Sequence, residues 1–441
     1  MLAESARTAP VMAEKHHITF FRQTGWMLMA STISGLLMYL VHLVLTKWGK
    51  VPVSEYGVFT TLLQVVTMMT IPTIGLQQVI AQQAAGAITA EKQRVVASEF
   101  RAVGIAMFFL WLVLAAVTVV FWKPAIASLK IQNPMAMVMT VIIGLFALWM
   151  PMVQGLLQGR QNFLWLGFMT ISNGIGRFGG VCVIALVFGG WAAGAMGAVL
   201  IGMATLVVIG LWQARDVWRT EGTRVQWADW LSRVIPLTMG LGAANFMLSA
   251  DMLFTQHYFP AGQTGFYAAA GMIGRALVFL TQPLSMVMFP KLARAKATGE
   301  KSHALELTLG TTVFFVSLAA IAATILPWVP LRIMYSKEYL AAAPLVPWFA
   351  WCMLPLTLSQ VMINSLMARA RLSAVPWLVL VAISYGFALS IVGRHCGGEA
   401  DTIAGFRTMI QTIGVFNLVM FGICALFTWG KRAPSPSPAI T

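Results

Sequence analysis

The chain has 441 residues, 59% of them hydrophobic and only 10% charged, where soluble domains carry about 25% charged residues. Those proportions exclude an ordinary soluble enzyme and predict an all-α integral membrane protein with many spans. The net charge of +15 then belongs to short loops, where Lys and Arg set orientation and meet anionic lipid. It does not point to nucleic acid.

A span needs about 20 mostly apolar residues. Twelve stretches qualify, at 24–46, 56–79, 102–122, 134–156, 163–187, 191–213, 231–254, 265–288, 306–328, 341–366, 373–393 and 404–429. The organisation predicted from them begins with a cytoplasmic tail, 1–23, that lacks the cleavage site of a signal peptide. An N-lobe of six spans follows at 24–213, then a linker at 214–230, a C-lobe of six spans at 231–429, and a disordered Ser-Pro tail at 430–441. With both termini on one side, that side holds nineteen Lys and Arg against seven on the other, so both ends are expected in the cytoplasm. The linker, with mixed charge around Trp218 and Trp227, reads as an amphipathic surface helix or as a solvated connection. The opposite loops are too short to hold a catalytic domain.

Taken in chain order, the first polar residue of interest is Arg22, at the cytoplasmic edge of the first span. It is an orientation signal or a point of substrate capture. His42, within that span, is a satisfied core histidine or a titrating coupling group. Pro72 interrupts the second span. Arg177 lies near the middle of the fifth, in Ser172-Asn173-Gly174-Ile175-Gly176-Arg177, with Asn173 one turn away on the same face. The glycines would let another helix approach closely. Asp251 lies near the end of the seventh span, where it pairs with a base, closes a gate or is simply solvated. Arg275 sits mid-span in the eighth, with Gln282 two turns on and Pro283 beside it. Arg407 is close to the start of the last span and could snorkel to the interface.

An arginine at the centre of a lipid-embedded helix costs roughly 2.5–3.5 kcal/mol on insertion scales, so Arg177 and Arg275 mark a functional site by default. Asp251 is the only acid near an apolar run, and no membrane-central acid is expected to neutralise the two arginines. That pattern suggests a pathway for an anion, with Arg275 the stronger seat. The alternative at each position is a structural arginine satisfied by backbone carbonyls or a neighbouring helix.

The halves repeat. Tyr56-Gly57-Val58-Phe59 is echoed by Thr264-Gly265-Phe266-Tyr267, Pro72 by Pro283, and Pro151 by Pro355. Gly189-Gly190 precedes Gly197 as Gly397-Gly398 precedes Gly405. Six spans per half predict lobes related by a pseudo-twofold axis along the membrane normal. Cys182, Cys352, Cys396 and Cys424 show no CxxC or metal spacing. No nucleotide-binding glycine loop, cofactor motif or catalytic carboxylate pair is present, so the chain reads as a transporter and not an enzyme.

These features resemble the polysaccharide (O-antigen type) flippases of the multidrug/oligosaccharidyl-lipid/polysaccharide exporter superfamily. The aromatic-glycine start of the second span, the stretch from Ser249-Ala250-Asp251 through Arg294, Gly265-Phe266-Tyr267-Ala268-Ala269-Ala270 and the Phe289-Pro290-Lys291-Leu292 exit carry the likeness, which covers roughly residues 20–430. The resemblance implies an inner-membrane transporter with a V-shaped cavity that flips undecaprenyl-diphosphate-linked sugars for O-antigen, capsule or exopolysaccharide synthesis. It implies cavity arginines on the diphosphate, a role that fits Arg177 and Arg275. It also implies contact with membrane lipids and with the polymerase and glycosyltransferases of the same pathway. The runner-up is a cation-coupled multidrug exporter on the same fold, disfavoured by the expected lack of membrane acids in the first half. A membrane-embedded glycosyltransferase or polymerase is disfavoured by the short loops.

Overall fold

The computed structural model describes residues 25–27, 29–184, 191–278, 304–369, 371–398 and 401–430, and these are helical nearly throughout, with no strand among them. In chain order the helices are α1 (Gly25–Trp48, its last turn a π-helix at Val44–Trp48), α2 (Val53–Met69), α3 (Ile71–Gly86), α4 (Ala90–Val120) and the short α5 (Trp122–Ser128). Next come α6 (Met135–Gly159), α7 (Phe163–Val183), α8 (Trp191–Gln213), the short α9 (Arg215–Arg219), α10 (Trp227–Tyr258) and α11 (261–278). The last are α12 (Ala304–Ile325), α13 (Trp328–Met334), a 3-10 stretch at Lys337–Leu345, α14 (Val346–Ala368), α15 (Val375–Cys396) and α16 (Thr402–Trp429).

Among the described residues, nine helices are long and apolar enough to cross a membrane, or ten if α2 and α3 form one broken span. The expected count was twelve. The other two places are helical as well: they are α7 and the described part of α11, the helices that carry Arg177 and Arg275.

Several expected boundaries move because polar turns continue the helices past their apolar runs. The presumed loop at 80–101 is largely helix, since α3 runs to Gly86 and α4 starts at Ala90. Thr89 caps α4 by accepting from the Lys92 amide. The linker holds only the five-residue α9, and α10 already starts at Trp227. Cys396, beyond the expected span at 373–393, ends α15 and is buried.

Prolines act where their chemistry allows. Pro72 sits in the first turn of α3, where its missing N–H costs no helical bond. The chain bends there by 46°. Thr70, at the break, donates its hydroxyl to the Thr67 carbonyl at 2.6 Å, and Thr73 donates to the Thr70 carbonyl at 2.8 Å, so these two carbonyls each accept a hydroxyl as well as a backbone N–H. Pro151 and Pro355 lie inside α6 and α14.

Contacts divide the chain into two compact units. The first comprises Met1–Thr238, Pro260–Ala268 and Leu331–Ala341, and the second Met239–Phe259, Ala269–Pro330 and Ala342–Thr441. In the first unit the core is built from α3, α4, α6, α7, α8 and α9, with Leu76, Phe100, Leu156, Met169, Leu206 and Val217 buried together. Burial alone does not drive helix association in lipid, so close approach must supply it. A Cβ on Gly176 of α7 would stand 2.8 Å from the Gly202 Cα of α8, so the two backbones meet at small residues. Outward residues such as Phe109, Val113 and Val120 of α4 are exposed and apolar, as a lipid-facing surface requires.

Candidate functional site

Arg177 belongs to the first unit. Asn162 accepts from the Trp165 amide and starts α7, which then presents Asn173 and Arg177 one turn apart. The Arg177 Nε donates to the Asn173 side-chain oxygen at 3.1 Å. Gly202 provides the room, because a Cβ there would lie 2.6 Å from the Arg177 Cγ and 2.9 Å from the Asn173 side-chain oxygen. On the other side, Gly174 lets Ser34 of α1 come close. The guanidinium is half-buried, and no described carboxylate forms an ion pair with it. An unneutralised cation held by an amide can receive an anion in bidentate fashion.

His42 of α1 lies within electrostatic reach of Arg177. It is buried, and its Nδ1 shares a hydrogen bond of 2.9 Å with the Tyr56 hydroxyl of α2. Tyr56 in turn bonds Tyr335 at 2.9 Å. Nearby, Glu55 is buried at the N-terminus of α8, where it accepts from the Ala192 amide at 3.3 Å. A carboxylate at a helix N-terminus satisfies an orphan donor and complements the dipole.

Arg275 belongs to the second unit and is the largest fully buried side chain of the molecule's described part. Its Nη2 donates to both Asp251 oxygens, at 2.7 and 2.6 Å, and its Nε donates to the Leu248 carbonyl at 3.0 Å. The two side chains are 2% and 0% exposed. Gly271 makes the space: a Cβ there would stand 2.6 Å from the Arg275 Nη1. The Tyr385 hydroxyl of α15 is buried near this pair and has no hydrogen-bond partner among the described residues.

The sequence expectations divide accordingly. Arg177 and Asn173 come together, with His42 close by. Asp251 is not a solvated end residue, because it is the buried counter-ion of Arg275. The expectation that no membrane acid neutralises the arginines is therefore corrected for Arg275. Asp251 is also not the only embedded acid. Glu55 and Glu99 are buried too, the latter in α4, hydrogen-bonded to Gln83 and within reach of the Arg233 charge. Arg407 is exposed on α16 and stacks over the Trp348 ring at 5.0 Å, so an aromatic face of its own unit occupies it. Arg22, Gln282 and Pro283 lie outside the described residues.

Tyr56, Tyr335, Glu55 and Glu99 were missed. Glu55 and Glu99 sit at the margins of apolar runs, in turns the helices extend to include. Tyr335 is far from Tyr56 in sequence, and periodicity carries no trace of that pairing.

The molecule is similar in fold to several solved transporters. These include an inward-facing multidrug resistance MATE family transporter of the MOP superfamily, at 11% identity and TM-score 0.66 over 91% of this chain and 93% of that one. Lipid II flippase MurJ in an inward closed conformation aligns at 14% identity and TM-score 0.69 over 91% and 87%. A MOP superfamily transporter from Pyrococcus furiosus aligns at 15% identity and TM-score 0.60 over 93% and 94%. At such identities the likeness establishes the fold, that of MOP superfamily transporters. No curated protein matches the chain. A family model described as polysaccharide biosynthesis protein matches residues 20–296. With more than half its length covered, the chain belongs to the polysaccharide biosynthesis protein family.

Proposed function

We propose that the protein flips undecaprenyl-diphosphate-linked oligosaccharide across the bacterial inner membrane, for surface or exopolysaccharide synthesis, by alternating access. Arg177 is the seat for the diphosphate, oriented by Asn173. The observation that carries this reading is an arginine midway along the largely apolar α7 with no carboxylate partner among the described residues, in a chain of the polysaccharide biosynthesis family. Its cost of insertion makes sense if an anion neutralises it in the working cycle. Arg275 takes a supporting role, because its charge is already matched by Asp251. The prenyl tail stays in lipid while the glycan crosses. Both termini are cytoplasmic, and the polymerase and glycosyltransferases of the pathway work alongside. The matching prolines Pro151 and Pro355, both inside helices, support two duplicated halves.

The test is complementation in a strain whose surface polysaccharide depends on this chain. Arg177→Ala should abolish polymer display at unchanged protein level, and Arg177→Lys should retain part of it. Display at wild-type level in Arg177→Ala would remove the proposed seat.

A second reading, a cation-coupled multidrug exporter, draws on the buried acids Asp251, Glu55 and Glu99. Asp251 is neutralised by Arg275 and Glu55 caps α8, which leaves them poorly placed to hold a cation. Raised resistance to cationic dyes in a pump-deficient host would favour that reading instead.

A further inference from the structure

Segment 331–341 lies far along the chain, yet it belongs to the first compact unit. Two sets of contacts hold it to α1 and α2. At the backbone, the Thr46 hydroxyl lies 3.1 Å from the Met334 carbonyl, and Lys47 donates to the Arg332 and Ile333 carbonyls at 2.7 and 2.6 Å. These are the terminal acceptors of α13, and a lysine there both bonds them and complements the helix dipole. Among side chains, the Tyr335 and Tyr56 rings meet edge-on at 5.7 Å, and Tyr339 packs on both. The hydroxyls then form the buried chain Tyr335–Tyr56–His42, each link 2.9 Å.

The direction of that chain depends on one proton. With Nδ1 of His42 unprotonated, Tyr335 donates to Tyr56 and Tyr56 donates to His42, so each hydroxyl hydrogen is used. A proton on Nδ1 forces His42 to donate to Tyr56. Tyr56 must then donate to Tyr335, and the Tyr335 hydrogen loses its acceptor. Tyr335 is 1% exposed, and the neighbouring Tyr339 hydroxyl makes no hydrogen bond among the described residues. A buried donor stranded in this way is costly. The ionisable groups around His42 are Tyr39 on its own helix, Tyr56 from α2 and Arg177 from α7, with Tyr335, Tyr339 and Glu338 beyond Tyr56. Among the described residues no acid forms an ion pair with His42, and Glu55, next to Tyr56 on α2, is bonded to the Ala192 amide instead.

We propose that His42, Tyr56 and Tyr335 form a proton-operated latch: a proton taken up on His42 releases segment 331–341 from α1 and α2. The latch does not rest on the flippase reading, because it concerns the unit's own conformation and not the identity of the cargo.

Hydrogen–deuterium exchange of the full chain in nanodiscs tests it. Peptides covering 331–341 are compared at about pH 8 and about pH 5, a range that spans histidine titration. Rates are corrected for intrinsic exchange and referenced to α16. The wild-type protein should show roughly tenfold faster exchange of 331–341 at the lower pH, as expected for a stranded buried donor. His42→Gln cannot take up the proton and should exchange at one rate at both pH values. His42→Asn serves in its place if the glutamine variant fails to fold. An unchanged wild-type rate relative to α16 would overturn the latch, and so would a neutral variant that responds like wild type.

Discussion

Two arginines, each within a largely apolar helix, meet opposite fates, and the neighbours decide which. Arg275 is wholly buried on Asp251 and the Leu248 carbonyl. Removing one partner of such a pair strands a charge, which typically costs about 3–5 kcal/mol, whereas replacing both with apolar groups is often nearly neutral. Asp251→Asn should therefore lower the melting temperature strongly in detergent. The double variant Asp251→Leu/Arg275→Met should recover most of the loss, and a double variant as unstable as the single one would refute the pairing as a self-contained unit. Arg177, by contrast, has only Asn173 as a side-chain hydrogen-bond partner among the described residues, and Arg177→Met should leave thermal stability within about 1 kcal/mol of wild type. The Arg177–Asn173 contact was legible in the sequence because a four-residue spacing fixes it on one helix face. The Asp251–Arg275 pair was not, because it joins two helices and no local pattern records which faces meet.

At the scale of elements, close approach of α7 and α8 positions the candidate seat. Gly202→Val would drive methyl groups into the Arg177 stem and the Asn173 carbonyl, an overpacking that typically costs about 1–3 kcal/mol. A lowered melting temperature together with lost polymer display should follow, and full display with an unaltered melt would detach the glycine from the site. The segment from α9 to α10 is held differently. Arg160 forms two hydrogen bonds to Asp216, at 3.0 and 2.7 Å, and Arg101 donates to the Thr220 carbonyl at 2.8 Å. Ser98 accepts from the Thr223 amide at 2.7 Å. Burial pushes the Asp216 carboxyl up, but the hydrogen bonds and charge of Arg160, with backbone N–H groups, outweigh it and hold it below the usual carboxylate range. A depressed carboxyl contributes its stability above the ordinary value, near pH 3.9, and loses it as pH falls through the folded value. The strap should thus stay intact at neutral and mildly acidic pH. Because the pair is partly exposed, Asp216→Asn should cost no more than about 1 kcal/mol in a thermal melt at neutral pH. From sequence the linker showed its mixed charge, but which charges pair depends on where α4 and α6 end in space.

At the scale of the whole molecule, runs of about 20 apolar residues located the helices well, since the bilayer leaves backbone groups few other options. Their ends were less legible. Polar turns at Ala90–Arg101 and at Trp227–Trp230 continue helices past the apolar stretch, and that is how Glu99 came to be buried. Pro72 announced a break that the structure realises as a 46° bend between α2 and α3. The placement of segment 331–341 with the first unit had no counterpart in the sequence, because it depends on Tyr335 and Lys47 reaching partners nearly 300 residues apart. The proposed role joins this fold to Arg177, which has no carboxylate partner among the described residues, so transport itself is the decisive observable. Proteoliposomes carrying purified protein and a fluorescent undecaprenyl-diphosphate-linked oligosaccharide would report how fast the lipid reaches the opposite leaflet. Wild type should translocate it well above protein-free vesicles, and Arg177→Ala should lose at least about tenfold, the loss expected when a charged hydrogen-bonding partner is removed. Translocation by Arg177→Ala at the wild-type rate would contradict the assignment of Arg177 as the diphosphate seat.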